Sequence, residues 1–195
     1  MNWCFNVYPL LHPALSNVYD KLRFKTNPSD TMWVNNVVQA NLHWALQKIK
    51  NSCGLFLLKS VAWLSTNATY TIYCDACLTR IGFWYLTLDL AFYSSTPHDD
   101  LQGLTNSKGT IFYFEALCVL CMLHDVCAYQ PGETGRFVIY TDNLNTVDIF
   151  SSLSALPSYN VLLHEAVDLL YGGDHSLRVL HVKTTKLQMH CLVLT

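Results

Sequence analysis

The sequence predicts an α/β domain with a five-stranded mixed sheet and flanking helices, preceded by a short helical segment. Three observations support this fold class. From residue 67 onward, strand-like and helix-like segments follow one another in the order β-β-β-α-β-α-α-β, and short turns separate the first three strands, as in an antiparallel meander. Before residue 67 the apolar residues follow helical spacing. Hydrophobic residues make up 51% of the 195 residues and charged residues only 13%, which excludes an intrinsically disordered chain.

The helical segment spans residues 1–66. Apolar residues three and four apart predict one helix over 13–24, which begins with a proline, and a second helix over 33–50. A short apolar connector follows at 55–63. We therefore expect two domains, the helical segment and an α/β domain over 67–195.

The α/β domain is predicted element by element. Runs of β-branched and aromatic residues predict five strands, at 70–77, 81–86, 90–93, 136–141 and 177–182. Apolar residues at helical spacing predict three helices, at 110–129, 143–153 and 157–171. The polar segment 97–109 is predicted to be a loop between the third strand and the first of these helices.

Three acidic residues lie within or beside apolar segments of this domain. Asp75 lies inside the first strand, Glu115 in the first turns of the long helix, and Asp142 at the end of the fourth strand. Each alone can be explained as a solvated acid, with Asp142 as the N-cap of the next helix and Glu115 stabilised by the helix dipole. A carboxylate inside an apolar strand is costly to bury unless it is paired or binds a metal. In this topological order we expect the three acids to meet at one edge of the sheet, with pKa values raised by mutual repulsion.

Converging carboxylates predict a cation, because they repel one another unless a positive charge lies between them. Ligation by oxygen alone favours Mg²⁺ or Mn²⁺. Two such ions about 4 Å apart can activate a water and stabilise a leaving oxygen in phosphodiester hydrolysis. Asp75, Glu115 and Asp142 are therefore the candidate catalytic and metal-binding residues.

Four motifs surround these acids: C-D-A-C-L-T-R-I-G-F-W at 74–84, F-E-A-L at 114–117, Y-T-D-N-L-N-T-V at 140–147 and L-R-V-L-H-V at 177–182. Together they resemble the RNase H domain of retrotransposon reverse transcriptases of the gypsy-like and DIRS-like kinds. The resemblance implies an RNase H-like fold and hydrolysis of the RNA strand of an RNA–DNA hybrid with two Mg²⁺ (or Mn²⁺) ions. It also implies that Asp75 holds both ions and that Glu115 and Asp142 hold one or both.

The N-terminal segment carries a second part of this resemblance. The sequence N-W-C-F-N-V-Y-P-L-L-H-P-A-L at 2–15 resembles the stretch that follows the polymerase palm in the same elements, and 33–63 resembles the connector after it. The fingers, the palm and the polymerase aspartates are not found, so we do not expect a polymerase, and the polymerase domain is missing in cis. Without a palm to cover it, this segment is expected to expose apolar side chains such as Trp3, Phe5 or Trp33 and so to promote aggregation.

The sequence also departs from the family pattern. Cys77 replaces a small residue and Arg80 replaces a glycine, at a turn where a positive φ would make arginine costly. The family has a final carboxylate after the last strand, whereas residues 183–195 contain no acid. We therefore predict a ribonuclease H-type endonuclease that is weak or inactive as written.

A shifted reading of the codons for 183–192 restores the family's final motif. Joining the third base of each codon to the first two of the next permits N-N-K-V-A-D-A-L-S-R. The genetic code forces two of these residues, the alanine at the 189/190 junction and the leucine at the 190/191 junction, and allows the others. We interpret the tail as a frameshifted or wrongly assembled end of a retroelement gene.

An alternative function is a non-catalytic retroelement remnant that binds nucleic acid weakly. The net charge of −2 and the total of 12 lysines and arginines favour this alternative, since nucleic-acid binders usually carry a basic face. A zinc ribbon is a further possibility for the C-x-x-C pairs at 74–77 and 118–121. The first pair lies on a strand, where residues three apart point to opposite faces, so buried thiols are expected instead.

The sequence contains neither a typical membrane helix nor a signal-peptide pattern, and this bears on the cellular compartment. The longest apolar run, 111–123, is shorter than a membrane helix and contains an acid, and no signal-peptide pattern precedes it. We expect no membrane partner and an intracellular, reducing location in the cytoplasm or nucleus, without secretion. The oligomeric state does not follow from the sequence.

Overall fold

A computed structural model of the chain describes residues 8–27, 29–51, 63–96, 107–129 and 134–183. Its strands are β1 (Tyr70–Ala76), β2 (Arg80–Tyr85), β3 (Leu90–Ser95), β4 (Arg136–Thr141) and β5 (Ser176–His181). Its α-helices are α1 (Ser16–Leu22), α2 (Asn36–Asn51), α3 (Ser107–Tyr129), α4 (Leu144–Ser152) and α5 (Asn160–Gly172). Strands and helices follow one another in the predicted order.

The five strands form one mixed sheet in the order β3-β2-β1-β4-β5. β1, β2 and β3 pair antiparallel, because short turns connect them. β4 pairs parallel to β1, and β5 parallel to β4, because helices cross over between them. The predicted fold class is confirmed, and this sheet order is consistent with the RNase H-like fold that the resemblance implied.

The core around the sheet holds α3 against its centre, where the helix packs on β1 and β2. Large apolar side chains from the helix and the central strands are fully buried: Ile72, Phe114, Val119, Met122, Leu123, Phe137 and Ile139. Burying each side chain of this size contributes roughly 1.5–3 kcal/mol relative to leaving it in water. This packing sets the position of the helix residues that face the sheet.

The same helix is apolar over a longer stretch than the run at 111–123 suggests. By average hydropathy, Gly109–Tyr129 is long and apolar enough to cross a membrane, although it contains no uninterrupted apolar run of that length. Half of its most apolar window is buried inside the protein. One such helix among the described residues is weak evidence for a membrane segment.

The described chain divides into two compact units, Met1–Ala62 with Ser152–Val167, and Trp63–Ser151 with Asp168–Thr195. The first unit has its own small core, formed by Leu11, Ala14, Leu15 and Ala45. Within this unit the Asn160 side chain donates a hydrogen bond to the Pro13 carbonyl at 2.9 Å, and Trp44 stacks on His164 with ring centroids 4.2 Å apart. The division into domains at residue 66 stays a prediction.

The N-terminal helices differ from their predicted bounds for local reasons. The first begins as a 3-10 helix over Pro9–Leu15 that contains Pro13, and becomes α-helical only at Ser16. α2 begins three residues later than predicted because the Asn35 side chain caps it, accepting a bond from the Val38 N–H at 3.1 Å. Trp33 therefore precedes the helix and is 84% exposed, as predicted. Trp3, Phe5 and most of the predicted connector lie outside the described residues.

Candidate metal centre

The strand pairing places two of the candidate acids side by side. β1 and β4 run parallel, and their last paired residues are Tyr73 and Tyr140. Asp75 and Asp142 each lie two residues further along. Because parallel strands end at the same edge of a sheet, this register places both aspartates at one edge, at the same level along neighbouring strands. On the other side of β1, Asp75 pairs with Gly82 of β2, which adds no side chain beside the carboxylate.

The third acid comes from the helix. Glu115 is the ninth residue of α3, and its side chain is only 5% exposed. The carboxylates of Asp75, Glu115 and Asp142 each offer an oxygen, and these oxygens all lie within 4.8 Å of one another. The structure thus brings the three candidate residues together, well inside the limit of about 8 Å for carboxylates that share two metals about 4 Å apart.

The electrostatics of the cluster depend first on burial and second on repulsion. Burial first, and then the charges of Asp75 and Asp142, raise the pKa of Glu115 to about 8. The pKa of Asp75 is also raised, again first by burial and then by Asp142. The raised values were predicted from the sequence, but repulsion was given as the cause. Desolvation is the larger cause because a buried carboxylate loses its hydration.

Two neutral groups partly offset this cost. The Thr141 hydroxyl donates to Glu115 Oε2 at 3.3 Å, and a bond from the Ala76 backbone also lowers the pKa of Glu115. Thr141 is 1% exposed and also accepts a bond from the Asn143 N–H at 3.2 Å. It therefore connects the buried glutamate to the backbone beside Asp142. Sequence reasoning assigned Thr141 no role, although it lies in the T-D-N motif.

The alternative explanations for the acids fit the structure less well. Asn143 is the residue that caps α4, because its Oδ1 accepts a bond from the Thr146 N–H at 3.2 Å. Glu115 lies beyond the second turn of α3, where the helix dipole has little effect on it. Nor is Glu115 a solvated acid, since it is buried.

The donor set can bind a divalent metal ion. Three carboxylates supply only hard oxygen ligands, and a cation between them would remove the penalty on ionising Glu115. Within the part of the chain that the structure describes, this is the one group of three or more acidic, histidine or cysteine residues close enough to hold a metal ion. The thiols accordingly form no zinc site there. Cys74 and Cys118 are buried as expected, but Cys77 is exposed in the turn after β1, so the expectation of a buried thiol is wrong there.

Two of the three departures from the resembled pattern, Cys77 and Arg80, lie within the described residues. Arg80 is the first residue of β2, and the described non-glycine residues with positive φ are Asp89, Leu153 and Asp174. The expected strain at Arg80 is therefore wrong, because the residue is extended. Cys77 is exposed in the turn, where a bond to the Thr79 hydroxyl, 3.4 Å away, lowers the pKa of its thiol.

No protein-family model and no curated protein matches the chain. Among solved structures it is similar to a foamy viral protease-reverse transcriptase dRH in complex with double-stranded DNA. The two sequences are 10% identical, the match covers 92% of this chain and 32% of that chain, and the TM-score is 0.38. A foamy viral protease-reverse transcriptase in complex with double-stranded DNA is also similar, with 8% identity, 90% and 37% covered, and a TM-score of 0.32. The chain spans about a third of the length of these proteins. Both scores are low, so the fold rests on the sheet topology and the site on its geometry.

Proposed function

We propose that this chain is an RNase H-type domain of a retrotransposon reverse transcriptase, built to hydrolyse the RNA strand of RNA–DNA hybrids with two divalent metals. One observation supports this above the others: a buried helix glutamate and two strand aspartates offer oxygens within 4.8 Å of one another at the ends of β1 and β4. In this proposal the protein is intracellular, and its partner is a nucleic acid.

Each residue has a role in this proposal. Asp75 lies on the central strand of the sheet and is, from the resemblance, the ligand expected to hold both ions. Glu115 and Asp142 complete the binding of one or both ions. Bound Mg²⁺ or Mn²⁺ would supply the positive charge that activates a water and stabilises the leaving oxygen of the phosphodiester. Thr141 keeps the Glu115 carboxylate turned toward the aspartates through its hydrogen bond.

We further propose that the activity is impaired, since residues 183–195 contain no acid where the family has its final carboxylate. Losing one pre-placed charge at a two-metal site costs several kcal/mol in the transition state. At about 1.4 kcal/mol per factor of ten, this corresponds to a rate loss on the order of a hundredfold or more.

The test compares the chain as written with a repaired chain in which 183–192 is replaced by N-N-K-V-A-D-A-L-S-R. A labelled RNA–DNA hybrid is incubated with each protein and Mg²⁺ or Mn²⁺. We expect little cleavage by the chain as written, clear metal-dependent cleavage by the repaired chain, and none by the repaired chain with Asp75→Asn. Robust cleavage by the unrepaired chain would refute the argument about the tail.

Two other outcomes separate this proposal from its alternative. A folded repaired chain that binds Mn²⁺ but stays inert would show that the tail acid was not the main defect. A chain that binds the hybrid weakly and shows no Mn²⁺ binding sensitive to Asp75→Asn would be the non-catalytic remnant. The small basic inventory, 12 lysines and arginines against 14 acids, favours that alternative.

A further inference from the structure

A buried thiol contacts the backbone of one of the candidate metal-binding residues. Cys118 follows Glu115 by three residues on α3, so both side chains lie on the same face of the helix. Its Sγ lies 3.2 Å from the carbonyl oxygen of Gly82 and 3.5 Å from that of Asp75. Cys118 is fully buried, so no water competes for these contacts.

We propose that Cys118 is a positioning residue for the metal centre, an inference that rests on the function proposed above. Its single S–H proton is shared between the carbonyls of Asp75 and Gly82, a directly opposed pair on β1 and β2. Each carbonyl has a second lone pair, so it can accept from the thiol as well as from the strand ladder. The helix that carries Glu115 is thereby tied to the backbone of the residue that carries the central aspartate.

A second thiol extends the tie. Cys74, which precedes Asp75, is buried, and its pKa is raised by burial and by a hydrogen bond with Cys118. Thiol hydrogen bonds are weak in water, but the buried Cys118 makes one that joins α3 to β1 at Asp75. A small displacement of Asp75 relative to α3 would change the distance between its carboxylate and that of Glu115.

The fold contains a matched control for this tie. Tyr85 of β2 donates a hydrogen bond to Asp125 of α3 at 2.7 Å, so it joins the same helix to the same strand. Asp125 lies ten residues beyond Glu115 on α3, nearly three turns away. Breaking this bond should loosen the helix–sheet contact without changing the position of the acids.

The experiment measures Mn²⁺ binding to the full chain and to Cys118→Ala, Cys118→Ser and Tyr85→Phe, well below each protein's unfolding temperature. Alanine removes the donor, whereas serine keeps a shorter but stronger one. We expect Cys118→Ala to raise the dissociation constant about three- to tenfold, the equivalent of one net hydrogen bond. Cys118→Ser should lie closer to the unsubstituted chain, and Tyr85→Phe should lower stability and leave the dissociation constant within about twofold.

Equal dissociation constants for the alanine and serine variants would overturn the inference. Such a result would mean that Cys118 acts through its packing and not through a hydrogen bond, since only serine keeps a donor. So would a Tyr85→Phe effect as large as that of Cys118→Ala. Amide hydrogen exchange in the metal-free proteins separates this inference from the proposed function. If the unsubstituted chain binds no Mn²⁺, the proposed function fails, and the tie is then decided by whether Cys118→Ala, and not Cys118→Ser, speeds exchange at Asp75 and Gly82.

Discussion

Replacing Glu115 with glutamine should stabilise the metal-free protein, and increasingly so as the pH rises. The Glu115 carboxyl is 5% exposed, and burial with two neighbouring aspartates raises its pKa from 4.5 to about 8. Below pH 4.5 it carries a proton in both the folded and the unfolded chain, so its ionisation does not affect stability. Between pH 4.5 and about 8 the unfolded chain releases this proton and the folded chain retains it. The free energy of unfolding therefore falls as the pH rises through this window.

The magnitude follows from the two pKa values. At about 1.4 kcal/mol per pH unit, the penalty grows to about 5 kcal/mol above pH 8. Glutamine has nearly the same volume and no charge, so Glu115→Gln removes this penalty and retains an oxygen that can accept from Thr141. We expect the variant to equal the unsubstituted protein within about 1 kcal/mol at pH 4.5, and to be more stable by about 3–5 kcal/mol at pH 8.5.

Urea unfolding in the presence of a chelator, followed by tryptophan fluorescence at several pH values, measures this difference. Glu165→Gln is the matched control, because it makes the same chemical change at an exposed position on α5. If the stability curves of Glu115→Gln and the unsubstituted protein run parallel from pH 4.5 to 8.5, Glu115 is not the buried, proton-retaining group described here.

Three more results are expected. Mn²⁺ binding at pH 7 should release about one proton from Glu115, so calorimetric heats should differ between buffers of different ionisation enthalpy; equal heats would contradict this. Thr141→Val should move the pH profile of Mn²⁺ binding upward by about 0.5–1 pH unit, because the Thr141 bond lowers the pKa of Glu115, whereas the buried Thr146→Val should not move it. Trp33→Ser should reduce aggregation, measured by light scattering, and change the free energy of unfolding by less than about 0.5 kcal/mol, since Trp33 is 84% exposed.

The sheet could be predicted closely because its strands have clear local ends. β4 has its predicted bounds, Arg136–Thr141, since glycine precedes it and Asp142 and Asn143 follow it. α3 begins at Ser107, three residues before its predicted start, because Gly109 and its polar neighbours are typical of a loop. The mixed N-terminal helix was missed since a proline at position 13 is compatible with both an α-helical start and a 3-10 turn.

The candidate site was predictable in its residues but not in its energetics. Topology alone indicated that Asp75, Glu115 and Asp142 would meet. How far Glu115 is buried depends on the packing of α3 on the sheet, which the periodicity of a sequence does not indicate. Repulsion was therefore overestimated, relative to burial, as the cause of the raised pKa of Glu115. Cys118 and Thr141 contact partners 26 to 43 residues away, and no local pattern in a single sequence signals such contacts.

The acid cluster lowers the stability of the folded chain at neutral and higher pH unless a cation occupies it. Burial and two neighbouring carboxylates raise the pKa of Glu115 to about 8, and the bonds from Ala76 and Thr141 that oppose this shift come from neutral groups. A divalent ion would reverse the effect, since it binds the ionised folded chain and so adds stability with each increase in its concentration. A folded chain with no cation at this cluster bears the cost without compensation, whereas a bound divalent ion removes it. The arrangement is thus consistent with the use of a divalent metal ion.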